Sequence, residues 1–220
     1  MNNEIYTKTV SRWNAWLWVV VLGGVLLAQS GFAQPVRDYY PDGTLRSEGV
    51  SDTMGRRGEW RFYYPTGQLN AVEQYQNGLL SGLSVHYFHG GGVKSEEYYE
   101  VDVLTDSAFY YYETGQLHRS GVYVDGLYEG VWLSFYSNGH LKSRGTYHLG
   151  EPHGSWEVYR EDGTLKQKGD YHHNLEEGFW QFYDKEGDVS FEGNYAQGKE
   201  VGKWYRVTKK GKRKLYQEYQ

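Results

Sequence analysis

Each stretch of 24 residues after Tyr39 carries two short β-rich runs, one around a Leu and a Tyr and one around a Trp, with glycine-containing turns between them. Apolar positions that alternate over runs this short mark half-buried strands, and two such runs about a turn make a hairpin. The period is strict. Gly43, Gly67, Gly91, Gly115, Gly139, Gly163, Gly187 and Gly211 recur every 24 residues without an insertion. Two positions on, the column reads Leu45, Leu69, Val93, Leu117, Leu141, Leu165 and Val189, with Arg213 ending it. Eight on, Ser51 is followed by Tyr75, Tyr99, Tyr123, Tyr147, Tyr171, Tyr195 and Tyr219. Seventeen on stand Trp60, Ser84, Ala108, Trp132, Trp156, Trp180 and Trp204; twenty on stand Tyr63, Tyr87, Tyr111, Phe135, Tyr159 and Tyr183, then Val207.

The inner turn holds Gly126, Gly150 or Gly198, with Asn174 as the substitute in one unit, which points to a positive φ there. A turn centred just before that glycine pairs Gly121 with Gly130, Gly145 with Gly154 and Gly193 with Gly202, and puts the Leu, Tyr and Trp columns on one face. Bare paired glycines weaken a sheet, so the Trp and Tyr rings are expected to lie over them. The pattern therefore predicts an all-β fold, an elongated antiparallel β-sheet ribbon of seven 24-residue β-hairpin repeats. Units start near residues 39, 63, 87, 111, 135, 159 and 183, and a capping strand occupies 207–220. Two strands per unit at about 4.8 Å each make a ribbon about 70 Å long. Lys209, Lys210, Lys212, Arg213 and Lys214 gather at the last strand, where charge blocks edge-to-edge pairing or, as the alternative, offers a docking patch for an anionic partner.

The first 33 residues are of another kind. Lys8 and Arg12 precede an apolar run from Trp16 to Ala28, then Gly31, Phe32, Ala33 and Gln34. That order is a secretory signal peptide with cleavage expected between Ala33 and Gln34, which places the protein in the periplasm or outside the cell. Left uncleaved, this segment would be the one contact with a membrane, although its apolar run is shorter than the roughly 20 residues a spanning helix needs. The net charge is −5, and the segment carries Lys8 and Arg12 against Glu4, so the remainder holds −6. Such a balance gives no reason to expect nucleic acid. With no cysteine, disulfides, thiolate catalysis and Cys-ligated zinc are excluded.

Three stretches share one signature: Gly121, Tyr123, Gly126, Gly130 and Trp132; Gly145, Tyr147, Gly150, Gly154 and Trp156; Gly193, Tyr195, Gly198, Gly202 and Trp204. They resemble MORN repeats, and with the element from Tyr159 to Lys166 they are similar to the bacterial MORN-variant group called YwqK-family antitoxins. The resemblance runs from Tyr39 to Tyr219. It implies scaffolds and binding surfaces without a shared catalytic residue set, and it implies an antitoxin as one possible role. The third unit departs from the pattern, with Asp102 and Asp106 for the turn glycines and Ala108 for the Trp.

Candidate chemistry is sparse. His148 and His172 share a column, with His153 and His173 beside them, but no pair has a zinc-ligand spacing, so solvated turn histidines are expected and no metal or other cofactor. His86, His89, Glu96, Glu97, Glu100, Asp102 and Asp106 collect in the third unit near Gly90, Gly91 and Gly92, where an open ribbon offers little burial for acid–base work. No phosphate loop or nucleophile elbow occurs, and no catalytic residue is assigned. The stronger candidate is the row Tyr63, Tyr87, Tyr111, Phe135, Tyr159 and Tyr183, of opposite parity to the Trp column, with Arg46, Lys94, Lys142 and Lys166 in a neighbouring polar column. Rigid aromatic platforms flanked by cations suit recognition of proteins or glycans; the equal alternative is that twist or a closing turn tucks these rings into a second minor core. The expectation is a non-enzymatic, exported binding or scaffold protein with a protein partner. A toxin, neutralised by direct binding, and an envelope glycan are the alternative partners.

Overall fold

The computed structural model describes residues 32–220. The apolar run Trp16 to Ala28 lies outside the described residues, and Gln34 opens the first strand. Among the described residues there are seventeen strands in one antiparallel sheet and no helix, and the strands pair in sequence order from Gln34–Tyr39 to Arg213–Tyr219, save that the two-residue strand Leu79–Leu80 and the strand Gly82–Tyr87 both pair with Leu69–Gln76. This is the expected all-β ribbon of hairpins. Two residues with positive φ make most of the inner turns: Asn77 and Gly78, Asp125 and Gly126, Leu149 and Gly150, His173 and Asn174, Gln197 and Gly198. Such pairs build the type I′ turn, whose twist matches that of the strands it joins. Val101 and Asp102 hold the same conformation in the third unit, so the backbone persists where the glycine has gone.

The pairing of glycine with glycine is not what forms. Gly145 stands opposite Trp156, and the register slips between Gly145 and Tyr147. Gly154 causes this: at φ +90 it sits in a β-bulge that adds residues to the second strand and carries the Trp back over the first. The same slip separates Gly121 from Gly130 and Gly193 from Gly202. Gly130, Gly154 and Gly202 face Tyr147, Tyr171 and Tyr219 of the following strand instead. In the third unit Asp106 takes the bulge position at φ 57.

The bulge lets a single-layer sheet have a core. A Cβ added to Gly49, Gly121, Gly145, Gly169 or Gly193 would stand closer than 3.0 Å to the indole of Trp60, Trp132, Trp156, Trp180 or Trp204 respectively. Each ring thus lies flat on backbone that only glycine leaves bare, and Trp180 and Trp204 are 1% and 0% exposed without a second layer above them. The tyrosine of the same hairpin closes the flank edge-on, at 5.3 Å for Tyr171 on Trp180 and 5.0 Å for Tyr195 on Trp204. Four of the five indole N–H groups donate to the carbonyl ten residues upstream, as Trp180 Nε1 does to Asp170 at 3.2 Å.

Where the Trp is missing, so is its glycine. Ser84 and Ala108 replace the indole, and the strand before them carries Glu73 and Glu97 in place of glycine. Volume has moved from one strand to the other: the small residues are 1% and 0% exposed, and the carboxylates occupy the aromatic face, Glu97 directly opposite Ser84. Glu73 accepts from the Tyr75 hydroxyl at 2.5 Å and Glu97 from Tyr99 at 3.3 Å. Burial first, and then these carboxylates, push both phenols up to about 12. The second and third units are therefore an alternative core solution.

Candidate functional site

The face opposite the tryptophans is organised by a row of directly paired residues that crosses the whole sheet. Arg37 pairs with Glu48 and Glu48 with Arg61, and further along Arg144 pairs with Glu157 and Glu157 with Lys168. Opposite charges face each other at every one of these steps, an arrangement that stabilises neighbouring strands. Arg37 Nε reaches Glu48 at 3.1 Å, and Gln181 donates to Glu192 at 3.0 Å. In mid-ribbon the ladder turns apolar, running Val72, Val85, Glu96, Phe109, Ser120, Leu133.

The aromatic row beside the ladder is half-buried and tied down at both ends. Tyr63 donates to Glu48 at 2.8 Å, Tyr111 to Glu96 at 3.5 Å, Tyr159 to Glu157 at 2.9 Å and Tyr183 to Gln181 at 3.1 Å. Burial, then the partner carboxylate, raises the Tyr63 and Tyr159 phenols above their usual range. Their backbones are held as well. Tyr40, Tyr64, Tyr112 and Tyr136 each donate a hydroxyl to the carbonyl 23 residues downstream, on Tyr63, Tyr87, Phe135 and Tyr159, at 2.8–2.9 Å, and Arg160 does the same for Tyr183. This second tyrosine column staples each outer turn to the next. Its 24-residue recurrence is visible in the sequence, but its role depends on a carbonyl that no spacing reveals.

Lys94, Lys142 and Lys166 are exposed, each next in the chain to the residue facing Tyr87, Phe135 or Tyr159. Among the described residues none of the three enters an ion pair, whereas Arg46 pairs with Asp38. The same face also exposes apolar side chains over four adjacent strands: Tyr98, Phe109, Val122 and Val131, at 36–44%. Large apolar residues gathered on one sheet face with charge at both ends are the composition of an interaction patch.

The remaining candidates disperse. Asp102 accepts the Leu80 N–H and Asp106 that of Ser107, so both are engaged by backbone. Glu96 belongs to the ladder and Glu97 to the opposite face, while His89 packs on Tyr64 at 4.5 Å. A groove of about 630 Å³ lies at the first strands, lined by Arg37, Glu48, Glu59 and Arg61. His153, His172 and His173 do come together, and His153 is not solvated as expected, because its Nδ1 is buried.

Residues 56–77, 128–148 and 152–173 match the model of the MORN repeat variant, so the chain contains MORN-variant repeats at these three places. No curated protein matches the chain. Among solved structures, the crystal structure of TcdB2-TccC3 without hypervariable C-terminal region is similar over 83% of this chain and 10% of that one, at 16% identity and a TM-score of 0.24. That of TcdB2-TccC3-TEV is similar over 82% and 13%, at 12% identity and a TM-score of 0.18. The chain spans about a tenth of the length of these structures.

Proposed function

We propose that this protein is a non-enzymatic, exported binding scaffold whose ladder face docks a protein partner. The observation that carries the reading is the apolar gap in the charge ladder. Tyr98, Phe109, Val122 and Val131 stay exposed on a face whose backbone and aromatic rim are fixed by the tyrosine bonds, so a partner meets a surface that loses little freedom on binding. Lys94, Lys142 and Lys166 along the rim favour a partner with carboxylates around an apolar contact. MORN-variant repeats fit a binding module. Export rests on the basic and apolar order of residues 1–33 and on the first strand opening at Gln34, the residue that cleavage would leave first. An antitoxin or immunity protein is the form this activity would take if the partner is an exported toxin. A glycan partner would use the aromatic rim in place of the apolar gap.

The test is capture of partners from the cell-envelope fraction by the protein and by its Phe109→Glu and Val131→Glu variants. Both changes fall on exposed positions away from the tryptophan face. A protein partner retained by the parent and weakened at least about tenfold by either variant, the scale of one or two lost apolar contacts, is the expected result. A partner bound equally by all three would refute the placement of the site.

A further inference from the structure

We propose that His153, His172 and His173 form a site for one divalent transition-metal ion of the kind that prefers imidazole, with Zn²⁺ as its probe. Glu129 and Glu177 stand 24 residues either side of His153, and each accepts the backbone N–H of the next inner turn: Leu149 to Glu129 at 3.0 Å, Gln197 to Glu177 at 2.9 Å. A carboxylate in this column ties one turn to its neighbour. His153 takes its place in the unit between, and its Nδ1 is buried without a hydrogen-bond partner. Buried polar atoms in native proteins are nearly always paired, so this nitrogen asks for an explanation.

Two more imidazoles converge on it. The ring centroid of His153 is 4.8 Å from that of His172 and 5.3 Å from that of His173, and one ligand nitrogen from each of the three lies within 4.8 Å of the others. Three neutral nitrogens suit zinc, copper or nickel and not calcium or magnesium, which take oxygen ligands. Around a tetrahedral ion with bonds of about 2.0–2.1 Å the nitrogens stand about 3.4 Å apart. The set must therefore close by about 1.4 Å, within reach of side-chain rotation because His172 and His173 are exposed on the end of a strand and its turn. Glu151 Oε2 lies 3.2 Å from His173 Nδ1, a carboxylate placed to orient that ring. His148 is engaged by Glu129 at 3.1 Å and stands outside the set. Bound there, the ion would join the two adjacent strands where the carboxylate tie is missing, with a fourth position open to water or to a donor from a partner.

Untagged protein titrated with Zn²⁺ in a calorimeter tests this, with Ca²⁺ as the control ion. Saturation at one ion per chain with micromolar or tighter affinity is expected. His153→Gln, and His172→Gln with His173→Gln, should each weaken binding at least tenfold, while His140→Gln leaves it unchanged. Proton NMR of the unaltered chain is independent of any variant: Zn²⁺ should shift the imidazole signals of three of the eight histidines. Absence of saturable binding, binding indifferent to His153→Gln, or a uniform shift of all eight signals would overturn the proposal.

Discussion

Exchanging one core solution for the other puts a number on the relation between the tryptophan and its glycine. Gly169 and Trp180 stand 72 residues, three repeats, after Glu97 and Ala108. Trp180 is 1% exposed, and Trp180→Ala removes a buried indole that the strand beneath cannot follow, at a cost of about 3–5 kcal/mol. Gly169→Ala puts a methyl closer than 3.0 Å to that ring, where carbon contacts settle near 3.5–4.0 Å. The ring must tilt off the sheet, and the change costs about 1–3 kcal/mol or more. Gly169→Glu with Trp180→Ala rebuilds the natural pair. The glutamate stem then covers the alanine, and its carboxylate can accept from Tyr171, as Glu97 does from Tyr99 at 3.3 Å. The double variant should be more stable than Trp180→Ala alone, and the coupling between the two sites should exceed about 0.5 kcal/mol, beyond the additivity of independent sites. Urea denaturation followed by far-ultraviolet circular dichroism measures the parent, Gly169→Ala and the two singles of the cycle, Gly169→Glu and Trp180→Ala, beside the double variant. A harmless Gly169→Ala, or a double variant costing as much as its two singles together, would refute the reasoning.

Alkaline pH should expose the buried phenols. Tyr75 and Tyr99 are raised from about 10 to about 12 in the folded chain, so their contribution is complete below pH 10 and lost as pH climbs through 12; melting temperature should hold to about pH 9 and fall above 10, less steeply in Tyr75→Phe with Tyr99→Phe. Tyr64→Phe removes the hydroxyl bonded to the Tyr87 carbonyl at 2.8 Å and should cost about 0.5–1.5 kcal/mol in a urea melt. Intact mass of exported material should place the N-terminus at Gln34, and a chain that retains Trp16 would count against cleavage.

Periodicity is the feature of this fold that is plain in the sequence, because a repeat of hairpins without insertions writes each structural position as a column. The turns follow from the same columns, since Gly126, Gly150, Gly198 and Asn174 all take the positive φ their residue types suggest. The strand register was not legible. It depends on Gly154 and its equivalents forming bulges, and a glycine in a strand does not announce whether it pairs or bulges. With the bulges known, the Trp and glycine columns align 11 residues apart, and the joint change to Glu73 with Ser84 and Glu97 with Ala108 can be read directly. The aromatic row was placed on its own face by parity alone. What its hydroxyls bind was legible only in part, because Glu157 lies two residues before Tyr159 on one strand, whereas Glu48 and Glu96 reach Tyr63 and Tyr111 through cross-strand pairing. His148 and His172 share a column, yet the convergence of His153 on His172 and His173 comes from the three-dimensional approach of neighbouring turns.

The central claim is that the chain is a ribbon of interchangeable hairpins, each held by its nearest neighbours. Deleting residues 139–162 removes one unit and preserves strand direction, turn type and face. That protein should keep a cooperative thermal transition, and small-angle scattering should show it shorter by about 10 Å, the width of two strands. Deleting 139–150 alone removes one strand and should leave a chain that aggregates or does not fold. Loss of the transition in the 24-residue deletion, or equal tolerance of both deletions, would contradict the account.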